Sequence, residues 1–513
     1  MTDTIPVLET ADQVYPKDAV QRESARWAHL QEQFSRIYNT PAQFIARAPG
    51  RVNLIGEHVD FAGYSVFPAA IDKDVLMATA VTKGTPGELF VELHNTTERF
   101  GTASFRCTST NPELIHQGPT RWANYFKAAL IGLRKRLGQD AGHGLEIRIL
   151  VSGTVPPESS LSSSAAMTIC SSLVIIEALG LREHVSRTDM TNAAIESERL
   201  AVSVFGVPDH AIFVSFVPEL ATTPIRLPDV DEPHVFVISN TLVTSDKKVN
   251  GPVQYNLRVV ETRLAAAVLA AALGVDGKPS HLRQIYHNTL RAVADSYWDA
   301  NPGMLETLAA KDGALAEIRS SLGEGAAQLH AMTAIAAQHI PAGGLDRSTL
   351  EQLTNIRGSD FDAEFLAAFP VRADKFYLQD RALHVFQEAL RVVQFKQACV
   401  TPTDDVYERL GALMNASHES LNTLYDCSCA ELNDAVAIAR RYGSLGSRLT
   451  GAGWGGCCVH LVPASKARSM MDGLRSEYYT RFPTLSEEQL NNSLFSTQPA
   501  RGACIVFQMS MGL

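Results

Sequence analysis

The stretch from Gly144 to Gly180 most limits what this chain can fold into. GLEIRILVSG (144–153) alternates apolar and polar residues, as a half-buried strand does. It runs into a Pro/Ser loop, and SSSAAMTICSSLVIIEALG (162–180) then reads as a helix closed by Gly180. A strand, a polar loop and an apolar helix in direct succession imply a layered α/β arrangement, with helices covering a sheet.

At 513 residues the chain is too long for one core, so two or more domains are expected. Residues 24–38 read as a helix with Leu30, Phe34 and Ile37 on one face, and 42–48 and 65–82 as strands. Trp122 to Leu137 reads as an amphipathic helix with a basic end, and 188–201 as another helix. Strands are expected at 211–217 and 234–243, a mainly helical region at 255–442, then a strand at 457–463, a helix at 464–476 and a last strand near 503–509. Pro228 to Pro233 make a polar break, which places a domain division near residue 230.

Composition excludes several classes. Apolar residues make up 45% and charged residues 19%, as in a soluble globular protein, and a net charge of −10 argues against nucleic acid as the main partner. The opening MTDTIPVLETADQVYPKDA has neither a basic n-region nor an apolar h-region, so no secretory signal is expected. No run of 18 apolar residues suggests a membrane span. Eight scattered Cys fit reduced thiols and a cytoplasmic location.

Three apparent motifs do not carry chemistry. Gly451 to Gly456 matches G-x-G-x-x-G, but the residues after it, Cys457 to Pro463, read as a strand where a dinucleotide site needs a helix. Gly274 to Pro279 lacks the spacing of a P-loop and reads as a turn. Cys427, Cys429 and His418 lack the second Cys pair of a structural zinc site.

Three other segments do. Arg47-Ala-Pro-Gly-Arg-Val-Asn-Leu-Ile-Gly-Glu-His-Val-Asp60 packs two Arg, an Asn, a Glu, a His and an Asp between apolar anchors. Fixed carboxylates and an imidazole suit the hydroxyls of a sugar, although charged residues in a solvated loop would look the same. Gly153 to Ala166 ends a strand, turns, and opens a helix on a run of Ser. Backbone N–H groups at a helix start suit a polyphosphate, and Ser is also simply a favoured cap. Ser447 to Cys457 is dense in Gly, which lets backbone approach a ligand or another loop closely.

In this order the three segments resemble the signatures of the GHMP small-molecule kinases, and Gly50-Arg-Val-Asn-Leu-Ile-Gly-Glu-His-Val-Asp60 is similar to the motif of their galactokinase branch. Trp122-Ala-Asn-Tyr125, Tyr255 to Glu261, Arg381-Ala-Leu-His-Val385, and His418-Glu-Ser420 through Tyr425-Asp-Cys-Ser-Cys429 extend the likeness to the eukaryotic galactokinase and N-acetylgalactosamine kinase group, over residues 20–512. Fungal galactokinases look most similar.

The resemblance implies an α/β (α+β) two-domain GHMP kinase fold. Its N-terminal ribosomal-protein-S5-like domain would span 20–230 and its C-terminal ferredoxin-like α/β domain 231–513, with the ATP and sugar sites between them. It implies phosphorylation of α-D-galactose by ATP at the anomeric hydroxyl, in a protein expected to be monomeric. Arg51 would stabilise charge at the attacking oxygen. Glu57, His58, Asp60 and Tyr255 would bind the sugar. Ser159, Ser160, Leu161, Ser162, Ser163 and Ser164 would wrap the ATP phosphates, with Trp122 also at the ATP site. Ser164 and Glu198 would be the magnesium ligands.

The sequence departs from the family at the catalytic base. A Gly-rich stretch ending Met-Asp-Gln is expected soon after Glu198-Arg199, yet the chain runs Leu200-Ala-Val-Ser-Val-Phe-Gly206 directly. Either Pro208-Asp209-His210 stands in its place and Asp209 is the base, or about ten residues are absent and the base with them; the second keeps every later residue aligned. The family also has Gly where this chain has Glu158 and Ser160. Without the base, the resemblance implies an alternative: a non-catalytic sensor that binds ATP and galactose and then contacts a transcriptional repressor. An N-acetylgalactosamine kinase is the other alternative.

Overall fold

The computed structural model describes residues 3–108, 121–156, 159–193, 198–243 and 250–507. They form two compact units: Met1–Val52, Ala69–Ile212 and Thr497–Leu513 in one, Asn53–Pro68 and Phe213–Ser496 in the other. A single cut near residue 230 does not reproduce them. That position falls inside the second unit, residues 53–68 join the later part of the chain, and the C-terminal strand joins the earlier part.

The first unit is built on a seven-stranded sheet. Its spatial order is Val7–Leu8, Cys504–Val506, Phe44–Ile55, Phe67–Lys83, Leu145–Gly153, Glu88–Asn95 and Ala103–Thr108. Side chains alternate across it. Val75 and Met77 join a core with Ala165, Ile169 and Leu173 of helix Ser163–Ala178 and with Phe126 and Leu130 of helix Asn124–Leu137. Leu76 and Ala78 join a second core with Trp27, Leu30 and Phe34 of helix Lys17–Tyr38. Helix Ser163–Ala178 is buried at every position from Ala165 to Ile176, which is why its sequence is apolar all round rather than striped.

Some elements differ from the sequence reading. The first helix begins at Lys17, and the expected helix 188–201 is two helices, Arg187–Ala193 and Glu198–Phe205. Strands Glu88–Asn95 and Ala103–Thr108 lie outside the elements read from sequence, although Leu89, Val91 and Leu93 alternate inward as a strand requires.

A buried charge cluster ties this unit together. Asp74 Oδ2 accepts from Tyr15 Oη (2.5 Å) and Arg47 Nε (2.6 Å), and Oδ1 accepts from Arg26 Nη1 (2.8 Å). Trp27 Nε1 donates to the Tyr15 hydroxyl (3.0 Å), and the Asp74 N–H donates to Thr154 Oγ1 (3.0 Å). Burial pushes the Asp74 carboxyl up, but Arg26 and Arg47 outweigh it and hold the group below the usual carboxylate range. Arg47 opens the first polar segment and Thr154 lies at the start of the second, so Asp74 reaches the first through its carboxylate and the second through its backbone N–H.

The second unit holds a four-stranded sheet in the order Gly446–Thr450, Cys457–Pro463, His234–Asn240 and Leu494–Thr497. Val237, Leu449, Cys458 and Val462 pack with Leu432 and Val436 of helix Ala430–Arg441 and with Met470 and Leu474 of helix Ala464–Glu477. The expected helical region is present and includes Tyr255–Leu273, Leu378–Val400 and Val406–Thr423. No helix among the described residues is long and apolar enough to cross a membrane.

The charge cluster sets an order of stability losses. Asp74→Ala removes the carboxylate partner of the buried Arg47 guanidinium, while Arg26 keeps Glu23, and is expected to cost about 3–5 kcal/mol. Tyr15→Phe removes one hydroxyl and is expected to cost about 1–3 kcal/mol. Urea unfolding of the two variants measures both.

Candidate functional site

Each unit carries part of the predicted machinery. In the first, residues 50–51 lie flush on the Ser-rich loop. The Arg51 N–H donates to Leu161 O (3.1 Å), and Arg51 Nη1 donates to Ser160 O (2.9 Å). A Cβ on Gly50 would stand 2.9 Å from Leu161 O and 3.1 Å from Val155, so only glycine permits this approach. Arg51 is buried and bonded to the loop expected to wrap the phosphates.

That loop has an unusual backbone. Ser160 and Ser162 both take the left-handed conformation, at φ 66° and 59°, on either side of Leu161. Backbone of alternating hand turns successive N–H groups toward one side, a geometry that suits anions. The left-handed φ at Ser160 gives a physical reason for the family's glycine there. Ser159 Oγ donates to Pro156 O (2.6 Å) and closes the turn. The Ser162 hydroxyl is buried with no hydrogen-bond partner among the described residues. Ser163 opens the helix and Ser164 is exposed in its first turn, where the helix dipole favours negative charge.

In the second unit the centre is Glu57. Its carboxylate is buried and accepts from Arg448 Nη2 (3.1 Å), from Asn53 Nδ2 and from the Gly451 N–H. A carboxylate has about four acceptor positions, so these three donors use most of them. Arg448 Nη1 also donates to Asn53 O (3.1 Å), and Thr450 Oγ1 accepts from the Asn53 N–H (3.1 Å). The first and third polar segments are thereby one structure. His58, at φ 61°, donates from Nε2 to Ala452 O (3.0 Å). Its ring stacks on Tyr425 with centroids 4.6 Å apart, and lies 5.9 Å from Tyr255 and 6.3 Å from Trp454. Asp60 is part-exposed at the start of a 3-10 turn.

The Gly-rich segment is a hairpin loop between Gly446–Thr450 and Cys457–Pro463, with Thr450 opposite Cys457. The strand read from sequence at 457–463 is present, and the strand before it was not expected. Positive φ at Gly451, Gly453, Gly455 and Gly456 accounts for the glycines, and Trp454 shares that conformation at φ 53°. A Cβ on Gly453 would meet Cys427 O at 2.1 Å, and one on Gly455 would meet Val243 O at 2.3 Å. The close approach is to other loops of the protein.

The remaining predicted residues are placed as follows. Trp122 is buried in the core and its Nε1 donates to Phe100 O (2.5 Å), so its N–H faces protein. Glu198 begins helix Glu198–Phe205, but its side chain, like the whole of Glu158, lies outside the described residues. Asp209 is exposed in a tight turn, at φ 63°, where the His210 N–H donates to Val207 O and its own N–H donates to Pro499 O. Pro at the first central position and a left-handed residue at the second make a type II pattern, which explains Asp209 as a turn residue.

Comparison with known proteins agrees with these segments. A family model described as the galactokinase galactose-binding signature matches residues 32–81. Models of the GHMP kinase N-terminal domain and C-terminal region match 124–215 and 404–480. The chain is 33% identical to galactokinase of Saccharomyces cerevisiae, covering 92% of this chain and 93% of that one. It is 33% identical to galactokinase of Dictyostelium discoideum, covering 98% and 97%. Among solved structures, Lactococcus lactis galactokinase complexed with galactose shares the fold at a TM-score of 0.60, with 22% identity over 93% of this chain and 99% of that one.

Three buried imidazoles around the second unit's sheet were not read as functional from the sequence. Burial lowers His384 and His418 to about 4 and His460 to about 3. His418 Nδ1 accepts from the Leu449 N–H, and His460 lies between the hydroxyls of Ser239 and Ser447. Each folded value is below the ordinary histidine value of 6.5. The unfolded chain therefore binds protons first as pH falls. Stability is full above pH ~6.5 and is lost progressively toward pH ~4, by on the order of a few kcal/mol. Thermal melting across this range checks the sign; a flat profile contradicts it.

Proposed function

Because the chain belongs to the galactokinase family of GHMP kinases, we propose that it binds α-D-galactose and ATP and transfers the γ-phosphoryl group to the anomeric hydroxyl. The observation that carries this reading is the buried Glu57–His58 turn within the residues matched by the galactose-binding signature. Solvated loop residues would not be buried, bonded to a second segment and held in left-handed backbone.

Glu57, His58, Asp60 and Tyr255 present acceptors and donors to the sugar hydroxyls. Glu57 acts with the acceptor capacity left after Arg448, Asn53 and Gly451. The N–H groups from Ser160 to Ser164 and the Ser162 hydroxyl hold the phosphates at the helix start. The exposed Ser164 hydroxyl, a group that fits a hard cation, would be a ligand of the magnesium that accompanies ATP and would neutralise phosphate charge, with Glu198 the weaker candidate. Arg51 stabilises charge near the attacking sugar oxygen, and catalysis of this type is mainly positioning and electrostatics. The location follows from the cytosolic reading of the sequence.

The base is the open position in this chemistry. Asp209 is the fallback; if instead the Met-Asp-Gln segment is absent and the base with it, the chain is a sensor that binds both ligands without turnover and meets a regulatory protein. Thermal shift and ADP release on the same preparation separate the readings. Galactose alone and ATP alone, each at about 100 times Kd, are each expected to stabilise the protein by about 2.7 kcal/mol. Galactose-dependent ADP release that Asp209→Asn abolishes makes Asp209 the base. Stabilisation without ADP release assigns the sensor, and no stabilisation by galactose contradicts both.

A further inference from the structure

The turn that carries Glu57 is held in an unusual conformation by one face of the long helix Leu378–Val400. Gly56 has φ 102° and His58 φ 61°, so left-handed residues flank Glu57 on both sides. Such backbone persists only where its surroundings over-determine it. Glu388 Oε1 accepts from the Gly56 N–H (2.9 Å) and the Glu57 N–H (3.3 Å). His384 Nε2 donates to Glu57 O (3.1 Å). A Cβ on Gly56 would stand 2.9 Å from Val392 Cγ2. His384, Glu388 and Val392 recur every four residues along one side of that helix. The helix therefore grips the Glu57 peptide at its N–H and at its C=O, and leaves the side chain to Arg448, Asn53 and Gly451.

The gripping groups are themselves fixed. Ser420 Oγ donates to His384 Nδ1 (2.8 Å), which sets the neutral tautomer with the proton on Nε2. Ser417 Oγ donates to Glu388 Oε1 (2.8 Å), and Arg391 Nε donates to Glu388 Oε2 (2.7 Å). Tyr425 lies between the two imidazoles, 4.6 Å from His58 and 4.6 Å from His384. This accounts for two segments given no role by the sugar and phosphate sites, Arg381 to Val385 and His418 to Tyr425.

We infer that His384 and Glu388 are positioning residues for sugar binding, which fix the Glu57–His58 turn without touching the ligand. The inference rests on the proposal that this turn binds galactose. Its test is calorimetric titration of the full chain with galactose, with and without ATP, alongside thermal melting. Glu388→Ala and His384→Ala are expected to weaken galactose binding by about tenfold or more while ATP binding stays within about twofold. His384→Gln, which keeps an N–H donor, is expected to recover most of the loss. Leu390→Ala, buried on the opposite side of the helix, is expected to lower the melting temperature and leave galactose affinity unchanged.

If the native chain binds galactose and the folded Glu388→Ala and His384→Ala variants bind it equally well, the inference is overturned. If the native chain itself binds no galactose, the proposed function fails, and amide hydrogen exchange at Gly56 and Glu57 still decides the grip. Protection lost in Glu388→Ala but kept in Leu390→Ala supports it, and equal protection in both overturns it.

Discussion

The second unit depends on the burial of the Glu57 carboxylate against Arg448. Removing both charges from water costs several kcal/mol per ion unless the geometry is good and the remaining lone pairs are satisfied. Here Asn53 and the Gly451 N–H complete the set. The contact joins segments almost four hundred residues apart, so a local sugar motif becomes part of a folded core. Left-handed residues lie on either side of Glu57 and along the Gly451–Gly456 loop, where these two segments meet.

The first unit solves a similar problem with Asp74. Its carboxylate pairs with Arg47, and its backbone N–H donates to Thr154 at the start of the Ser-rich loop. In both units the polar residues that organise the site are buried, charged and paired, and the groups offered to ligands are carried by the short segments they anchor. This division fits a kinase of this family, where little covalent chemistry falls to the protein and positioning does most of the work.

Much of this was legible in the sequence. The alternation of 144–153 and the apolar run after it gave a strand and a buried helix, and the three polar segments were identified with their order intact. Other features had no local signal. The unit boundaries escaped because residues 53–68 and the last strand are assigned by long-range contacts that no composition shift marks. The hydrogen bond from the Trp122 indole N–H to Phe100 O had no local signal either, since its partner lies 22 residues earlier in the chain. Glu388 was invisible because a lone Glu in an amphipathic helix normally faces solvent. Only its spacing from His384 and Val392 hinted at a shared face.

The question of the catalytic base stands apart from the anchoring, since neither buried carboxylate is near residues 199–209 in sequence. Binding and turnover can therefore be separated in this chain, and the anchoring of the sugar motif is the claim on which the rest stands. A double-mutant cycle between Glu57→Gln and Arg448→Met, read by urea unfolding, tests it most directly. The account predicts a coupling energy of about 1–3 kcal/mol between the two positions. Additive losses would contradict it and reduce the pair to neighbours without a shared function.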